Sequence, residues 1–267
     1  MITSTSNQKV KELIKLREKS RFREEEGIFL VEGPRMAQEI PPQWIECLYI
    51  SESYEKKYGK ELPGDGSVQV RKETLSDDVF ARVSDTKTPQ GILAAVRMMK
   101  YSFSDILGLK KGRTKTPLVL VLDNLQDPGN MGTVFRSAEA AGASGILMSS
   151  DCVDVYNPKV IRSTMGAIFR LPFFRTADLA GAADELKDRG LRVYAAHLEG
   201  RRTYDGEDYR GGCAFLIGNE GNGLRPEIAE RADCRIRIPM EGAAESLNAA
   251  VAASVLMFEA ARQRRGK

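Results

Sequence analysis

Residues 118–122 read Leu118-Val119-Leu120-Val121-Leu122, five apolar residues in succession without polar positions between them. A strand with one exposed face alternates, so an unbroken apolar run predicts a strand buried on both faces of a parallel sheet. A similar run occupies 213–217, and further strands are predicted at 145–148, 191–196 and 235–238. Helices are predicted at 131–141, 158–165, 178–189, 226–231 and 246–264. This alternation predicts an α/β fold with a parallel sheet, in which ligands bind at the carboxyl ends of the strands.

The chain before this region predicts a smaller α/β unit. It opens with a helix over 7–25, which Ser6 or Asn7 can cap. Strands are predicted at 28–31, 45–50, 68–70 and 91–96, and helices at 35–39, 52–58 and 72–83. The stretch 101–116 is polar and basic without periodicity, which is typical of a linker. We therefore expect a first domain over 1–99, a linker over 100–116 and a second domain over 117–267.

Composition excludes several classes of protein. The 267 residues, 42% hydrophobic and 29% charged, indicate a globular chain of one or two domains. A single histidine, His197, and four cysteines without Cys-x-x-Cys spacing argue against a zinc site and a Ser-His-Asp triad. The longest near-apolar run, 249–258, is shorter than the ~20 residues of a membrane helix, and no signal-peptide core opens the chain. We expect a soluble cytoplasmic protein without metal or membrane association.

The charge is unevenly distributed along the chain. Residues 1–115 hold 21 basic and 17 acidic residues, a net of +4, whereas the remainder holds 19 and 20, a net of −1. Most of the basic excess lies in two runs, 9–23 and 97–115. A basic face is typical of a protein that binds nucleic acid, so the first domain is predicted to bind nucleic-acid phosphates. The alternative is a solvated helix face, since acidic residues are interleaved in the first run.

Three loops of the second domain carry residues suited to chemistry. The loop 123–132 is rich in turn-forming residues and leads into a helix that carries Arg136. Asn130 is predicted to cap this helix. An arginine at position 136 can form two parallel hydrogen bonds to a phosphate. The loop 217–223 reads Ile217-Gly218-Asn219-Glu220-Gly221-Asn222-Gly223; it matches neither a dinucleotide fingerprint nor a P-loop, and Glu220 suits a hydrogen-bond acceptor. The loop 238–248 leads into the last helix, for which Ser246 is the predicted cap. The alternative for the first two loops is that they are ordinary turns. The alternative for the third is that the helix after it is a plain core helix.

Together these loops resemble the motifs of the SpoU (TrmH-type) branch of the SPOUT RNA methyltransferases. The resemblance rests on Asn124, Asp127, Asn130, Gly132 and Arg136 in the first loop, on Gly218 to Gly221 in the second, and on Ile238-Pro239-Met240, Gly242 and Ser246-Leu247-Asn248 in the third. It covers about 117–264. More loosely, Glu32-Gly33-x-Arg35 and Thr88-Pro89-Gln90-Gly91 resemble the family's N-terminal RNA-binding domain, which is similar to a small ribosomal protein.

The resemblance implies a fold, a reaction and a set of site residues. The second domain is expected to be a knotted parallel-sheet domain with a deep trefoil knot, and to form a homodimer through the knot and the last helix. The expected reaction transfers a methyl group from S-adenosylmethionine to a ribose 2′-hydroxyl of RNA. Ribosomal RNA is the favoured substrate. Residues expected to hold the cofactor are Gly218, Ile238, Leu247 and Leu198, with Asn219 and Met240 beside them. His197 follows a predicted strand and is expected to be structural, or to lie near the cofactor rim.

Physical chemistry constrains the catalytic roles. Arginine stays protonated because its pKa exceeds about 12. We therefore expect Arg136 to fix a phosphate and stabilise the developing alkoxide, with Glu220, Asn130, Ser246 and Asn248 orienting it and the ribose. The expected RNA contacts of the first domain are Lys15, Arg21, Arg23 and Arg35. The remaining alternatives are a transfer-RNA 2′-O-methyltransferase, a non-catalytic RNA-binding relative, and a doubly wound enzyme for another nucleotide.

Overall fold

The computed structural model describes residues 1–59, 70–108 and 116–266. These residues form two compact units, one of Met1–Lys100 with Asp154–Phe169 and one of Tyr101–Val153 with Arg170–Lys267. The helices are α1 (Gln8–Glu18), α2 (Ser20–Glu26), α3 (Pro34–Gln38), α4 (Glu52–Tyr58), α5 (Asp77–Val83), α6 (Phe103–Ile106), α7 (Pro128–Ala141), α8 (Pro158–Thr164), α9 (Leu179–Asp188), α10 (Pro226–Ala229) and α11 (Ala249–Arg265). The strands are β1 (Ile28–Glu32), β2 (Ile45–Ser51), β3 (Lys72–Leu75), β4 (Ile92–Arg97), β5 (Leu118–Leu122), β6 (Gly145–Ser149), β7 (Phe173–Thr176), β8 (Arg192–Ala196), β9 (Arg202–Thr203), β10 (Cys213–Ile217) and β11 (Cys234–Arg237).

The first unit is built on a four-stranded sheet in the order β1-β4-β2-β3. Strand β4 pairs antiparallel with β1 and β2, and β2 pairs parallel with β3. Helices α1 and α5 pack together, and their apolar side chains Val10, Leu13 and Phe80 share a core with Leu30 and Leu93 of the sheet. The sheet and its helices confirm the predicted small α/β unit.

Two elements of the first unit differ from the sequence prediction. The stretch 72–83, predicted as one helix, is strand β3 followed by α5, because residues 72–75 pair with β2. The strand predicted at 68–70 falls mostly outside the described residues, and Val70 lies outside any strand. The helix predicted over 7–25 is divided at Lys19, whose backbone is extended. Asn7 caps α1, as predicted, by accepting a hydrogen bond from the backbone N–H of Lys9 (2.9 Å).

The break at Lys19 turns the side chain of Arg23 inward. Its guanidinium donates to the carbonyls of Leu16 (2.6 Å) and Arg17 (3.1 Å), in the last turn of α1, and to the carboxylate of Asp154. Arg23 is only 3% exposed, so it cannot reach RNA and its predicted role is wrong. It is a packing residue that satisfies carbonyls which the end of a helix leaves open.

Replacing Arg23 by methionine is expected to lower the free energy of unfolding of the first unit by about 3 kcal/mol, because removing one partner of a buried ion pair strands the other. The matched control is Arg21→Met, since Arg21 pairs with Glu25 at the exposed surface and should contribute about 0.5 kcal/mol or less. Urea unfolding followed by the fluorescence of Trp44, the single tryptophan, reports on this unit. Equal losses in the two variants would contradict the assignment.

The second unit is built on a seven-stranded sheet in the order β7-β6-β5-β10-β8-β11-β9, and each described pair is parallel. All five residues of β5 and all five of β10 are buried, as their apolar runs predicted. Helices α9 and α10 pack on one face, against side chains that include Val119, Val193 and Leu216. Helices α7 and α11 pack on each other, with α7 against β6 and α11 against β10. The predicted parallel α/β fold is confirmed.

The second unit also contains elements that the sequence did not indicate. Strands β7 and β9 add both edges of the sheet. Helix α6 lies within the stretch for which a linker was predicted, and Ile106 is fully buried in the core of the second unit. Residues 109–115 of that stretch lie outside the described residues. None of the helices that the structure describes is long and apolar enough to cross a membrane.

Candidate active site

The three loops that carry the sequence motifs leave neighbouring strands at the same edge of the second unit's sheet. Strands β5, β10, β8 and β11 are adjacent, and their register places Leu122 opposite Ile217 and Ile236 opposite Ala196. Because the strands are parallel, the loops that begin after them emerge side by side at the carboxyl edge. The motifs are therefore brought together by the topology.

An ion pair between a buried aspartate and a partly exposed arginine joins two loops of this site. Asp123, directly after β5, is fully buried; its carboxylate accepts hydrogen bonds from the backbone N–H (2.9 Å) and the Nε (2.7 Å) of Arg225. Arg225 ends the glycine-rich loop that begins at Gly218, so the pair fixes the first loop to the second. This pair was not predicted, although an aspartate that directly follows a buried apolar strand was a signal for it.

The cap of α7 is Asp127, and the prediction of Asn130 is wrong. The carboxylate of Asp127 accepts a hydrogen bond from the backbone N–H of Asn130 (2.7 Å), because helix α7 begins at Pro128, three residues earlier than predicted. The side chain of Asn130 is thereby free to leave the helix end. Its amide Nδ2 donates to Glu220 Oε1 (3.0 Å).

Glu220 joins the first and second loops. Besides Asn130, its carboxylate accepts hydrogen bonds from the backbone N–H groups of Asp127 (2.9 Å) and Gln126 (3.1 Å). Partial burial by itself would raise the pKa of Glu220, but the hydrogen bonds from Asn130, Asp127 and Gln126 outweigh it and lower that pKa. Glu220 is therefore ionised at neutral pH, and its oxygens are engaged in holding the loops.

Asn248 brings the third loop into the same arrangement. Its Oδ1 accepts hydrogen bonds from the N–H groups of Ala250 (2.9 Å) and Val251 (3.3 Å), and its Nδ2 donates to Asn130 Oδ1 (2.9 Å). Asn248 is thus the cap of α11, and the prediction of Ser246 is wrong because the helix begins at Ala249. Ser246 is exposed and makes no hydrogen bond within the part of the chain that the structure describes. The side chains of Asn248, Asn130 and Glu220 form what we call the Asn–Asn–Glu chain.

The glycine-rich loop is held by its own asparagine. The Asn219 side chain donates to the carbonyl of Asn124 (2.8 Å) and accepts from the N–H groups of Gly221 (2.9 Å) and Asn222 (3.1 Å). A Cβ on Gly218 would lie 2.1 Å from the carbonyl carbon of Gly223, so only glycine fits there. The side chain of Asn219, predicted near the cofactor, therefore shapes the loop.

Arg136 stands apart from the Asn–Asn–Glu chain. It is exposed on α7, six residues after Asn130, a distance of about 9 Å along the helix axis. Among the described residues its guanidinium has neither an ion pair nor a hydrogen bond. Glu220 and Asn248 therefore do not orient it directly, contrary to the prediction. Its five N–H donors remain open to an anionic ligand.

The residues predicted to hold the cofactor line the ends of β8, β10 and β11. Leu198 is 66% exposed, and Ile238, Met240 and Leu247 are half-buried. Within the described residues, the backbone of 239–247 makes no turn or loop hydrogen bond to another protein group. Free backbone donors and acceptors beside apolar side chains suit a ligand with an adenine ring and an amino-acid tail. The residues present therefore fit S-adenosylmethionine.

His197 lies in the turn after β8 and has a structural role there. Its backbone N–H donates to Ile236 (2.9 Å), and its Nδ1 accepts a hydrogen bond from the N–H of Glu199 (3.1 Å). These contacts favour the predicted structural role of His197 over a place near the cofactor.

The basic residues predicted to contact RNA in the first unit have different surroundings. Lys15, Arg21 and Arg35 are exposed, as the prediction requires. Arg21 pairs with Glu25, and the ammonium of Lys15 lies over the ring of Phe22, 5.3 Å from its centroid. Exposed pairs of this kind are weak enough to exchange for a phosphate.

Comparison with known proteins identifies the family. Residues 117–258, more than half of the chain, match the SpoU rRNA methylase family, and residues 7–94 match the MRM3-like substrate-binding domain. A relative in Bacillus subtilis, the 23S rRNA (guanosine(2553)-2′-O)-methyltransferase RlmP, is 34% identical over 259 residues, 96% of this chain and 97% of its own. This chain belongs to the SpoU rRNA methylase family. Membership confirms the predicted family, enzyme class and methyl donor.

Solved structures of methyltransferases resemble the chain over nearly its whole length. The SpoU methyltransferase AviRb from Streptomyces viridochromogenes, in complex with AdoMet, has a TM-score of 0.84 at 26% identity, covering 97% of this chain and 99% of its own. An AdoMet-bound rRNA methyltransferase from Sinorhizobium meliloti has a TM-score of 0.81 at 29% identity, covering 98% and 97%. Both units therefore have counterparts in SpoU proteins.

Proposed function

We propose that this SpoU protein transfers the methyl group of S-adenosylmethionine to a ribose 2′-hydroxyl of ribosomal RNA. The observation that carries the proposal is the Asn–Asn–Glu chain, which ties all three motifs together at one sheet edge and fixes the start of α7, the helix that carries Arg136. The choice of ribosomal RNA is supported by the similarity of the whole chain to RlmP, a 23S rRNA enzyme.

The cofactor is held at the ends of β8, β10 and β11. Gly218, Ile238 and Leu247 offer backbone groups, with Leu198 and Met240 providing apolar contact around them. When bound, S-adenosylmethionine supplies a methyl group already activated on a sulfonium, so the protein itself has to provide orientation and charge stabilisation. No metal ion is part of the proposal.

Arg136 binds the RNA at the reacting nucleotide. Its planar guanidinium can hold a phosphate with two parallel hydrogen bonds, and the same positive charge stabilises the oxyanion that develops on the ribose. The Asn–Asn–Glu chain keeps the N-terminal end of α7, and so Arg136, in a fixed position relative to the cofactor loops. Glu220 has a lowered pKa and three donors on its oxygens, so its role is to position, and the proton of the ribose hydroxyl is released to solvent water.

The surrounding organisation completes the proposal. The first unit docks the RNA, with Lys15, Arg21 and Arg35 among its phosphate contacts. The second unit forms a trefoil knot. It forms a homodimer through its last helix, a role that the exposed apolar side chains of Val251 and Phe258 on α11 support. A cytoplasmic location follows from an RNA substrate of this kind.

Mapping of ribose methylation tests the function. Primer extension at low nucleotide concentration, on ribosomal and transfer RNA from cells with and without this gene, is expected to show one stop in ribosomal RNA that depends on the gene. A stop in transfer RNA alone would contradict the choice of substrate. Calorimetry with S-adenosylmethionine separates the non-catalytic alternative, which predicts no heat of binding.

A further inference from the structure

Arginines in the second unit divide into two groups by their partners. Most have carboxylate or carbonyl partners; these are Arg170, Arg175, Arg189, Arg192, Arg202, Arg210, Arg225, Arg231, Arg262 and Arg264. Within the described residues five exposed arginines have no such partner: Arg136, Arg201, Arg235, Arg237 and Arg265. Three of these five, Arg201, Arg235 and Arg237, lie at one end of the sheet, and we call them the arginine edge.

The sheet geometry places the arginine edge on one surface. Strand β11 lies between β8 and the edge strand β9, with Arg235 opposite Ala195 and Arg237 opposite Thr203. Side chains two residues apart on a strand point to the same face, about 7 Å from each other. Arg235 and Arg237 therefore share a face, and Arg201 directly precedes β9 beside them.

The opposite face of the same strands has its charges matched. Arg202 and Arg192 both pair with the nearly buried Glu207, at 2.7 Å and 3.2 Å. The carboxylate on that side is thus already neutralised, whereas the arginine edge has no corresponding carboxylate among the described residues. Like charges that stand together without partners are stabilised when a polyanion binds.

We propose that Arg201, Arg235 and Arg237 bind phosphates of the RNA strand that flanks the methylated nucleotide. The proposal rests on the proposed function, because it takes RNA as the substrate. The arginine edge lies three strand spacings from β5, about 15 Å, so it meets nucleotides beside the reacting one. The net charge of this half of the chain, −1, gives no sign of the site, because its 20 acidic residues offset its 19 basic ones.

The test compares two triple variants with the same loss of charge. The first replaces Arg201, Arg235 and Arg237 by glutamine; the control replaces Arg170, Arg189 and Arg210, three exposed arginines that are ion-paired within the same unit. Binding of a 23S rRNA fragment is measured by fluorescence anisotropy between 50 and 300 mM KCl, about the range over which phosphate contacts show their salt dependence. The affinity for S-adenosylmethionine is measured by calorimetry.

The arginine-edge variant is expected to reduce the slope of log K against log salt by about 2, since each phosphate contact on a single strand contributes about 0.7. It should raise the KM for RNA at least tenfold with kcat nearly unchanged, while the control keeps the wild-type slope. A triple lysine variant should restore the slope, which excludes misfolding as the cause.

Two results would overturn the proposal. One is a slope and KM equal to those of the control. The other is an unchanged slope together with self-association of the variant in sedimentation. That result would mean that the arginines prevent the sheet edge from pairing with another molecule. If the wild type instead binds the fragment and cofactor but methylates no ribosomal RNA, the proposed function fails while the slope measurement still decides this site.

Discussion

Replacement of Arg136 by lysine is expected to reduce kcat for methyl transfer by about 10²- to 10³-fold, the cost of losing one preorganised donor to a developing oxyanion. Lysine keeps the positive charge but cannot form the two parallel hydrogen bonds of a guanidinium. Arg136 is exposed and has no polar partner among the described residues, so its replacement breaks no hydrogen bond or ion pair there. The affinity for S-adenosylmethionine should stay unchanged.

Single-turnover rates with saturating RNA measure this effect directly. The matched control is Arg265→Lys, another exposed arginine of the second unit that has no partner among the described residues. The melting temperatures of both variants should equal that of the wild type. Turnover of the lysine variant close to that of the wild type would contradict the two-pronged role of Arg136.

Replacement of Glu220 by alanine is expected to lower kcat by about 100-fold, because a displacement of about 1 Å at a reacting centre can cost that much. The substitution removes the acceptor for Asn130 and for the N–H groups of Gln126 and Asp127, so the first loop loses its attachment to the second. Glu185→Ala, which removes a carboxylate from a surface pair with Arg189, is the control and should have full activity.

A double-mutant cycle separates positioning from a direct catalytic role. If Glu220 acts through Asn130, the double variant Glu220→Ala with Asn130→Ala should be little worse than Glu220→Ala alone. Additive losses would show that the two residues act independently and would contradict the Asn–Asn–Glu chain.

The sequence predicted the parallel sheet well because its central strands carry a strong signal. Strands β5 and β10 are buried on both faces, and buried positions require apolar side chains. Their burial is therefore visible in the local sequence as unbroken apolar runs. Strand β3 was missed because Lys72-Glu73-Thr74-Leu75 carries no such signal. Its pairing with β2 is set by contacts far apart in sequence, which a local pattern does not contain.

The candidate site followed the same division. The motif residues Asn130, Glu220 and Asn248 were predicted from a family resemblance, and the structure brings them into contact. The predicted caps of α7 and α11 were wrong. Asp, Asn and Ser are all good caps, and the residue at which the helix begins decides which of them acts as the cap. Composition alone could not reveal that Asp127 would take this role at α7 and leave Asn130 free.

Charge was the least reliable guide. The basic run 9–23 suggested an RNA-binding face, yet Arg23 is buried against Asp154. Conversely, the arginine edge lies in the half of the chain whose net charge is −1. Net charge counts residues, whereas a phosphate contacts only those whose partners are absent or easily exchanged, and pairing is a property of the fold.

The central claim is ribose methylation of ribosomal RNA, and nucleoside analysis tests it most directly. Protein-free 23S rRNA is incubated with the enzyme and methyl-labelled S-adenosylmethionine, digested to nucleosides and separated by chromatography. We expect the label in a single 2′-O-methylated nucleoside, and its loss with Arg136→Lys. Label in a base-methylated nucleoside, or no label from an enzyme that binds both the cofactor and the RNA, would contradict the claim.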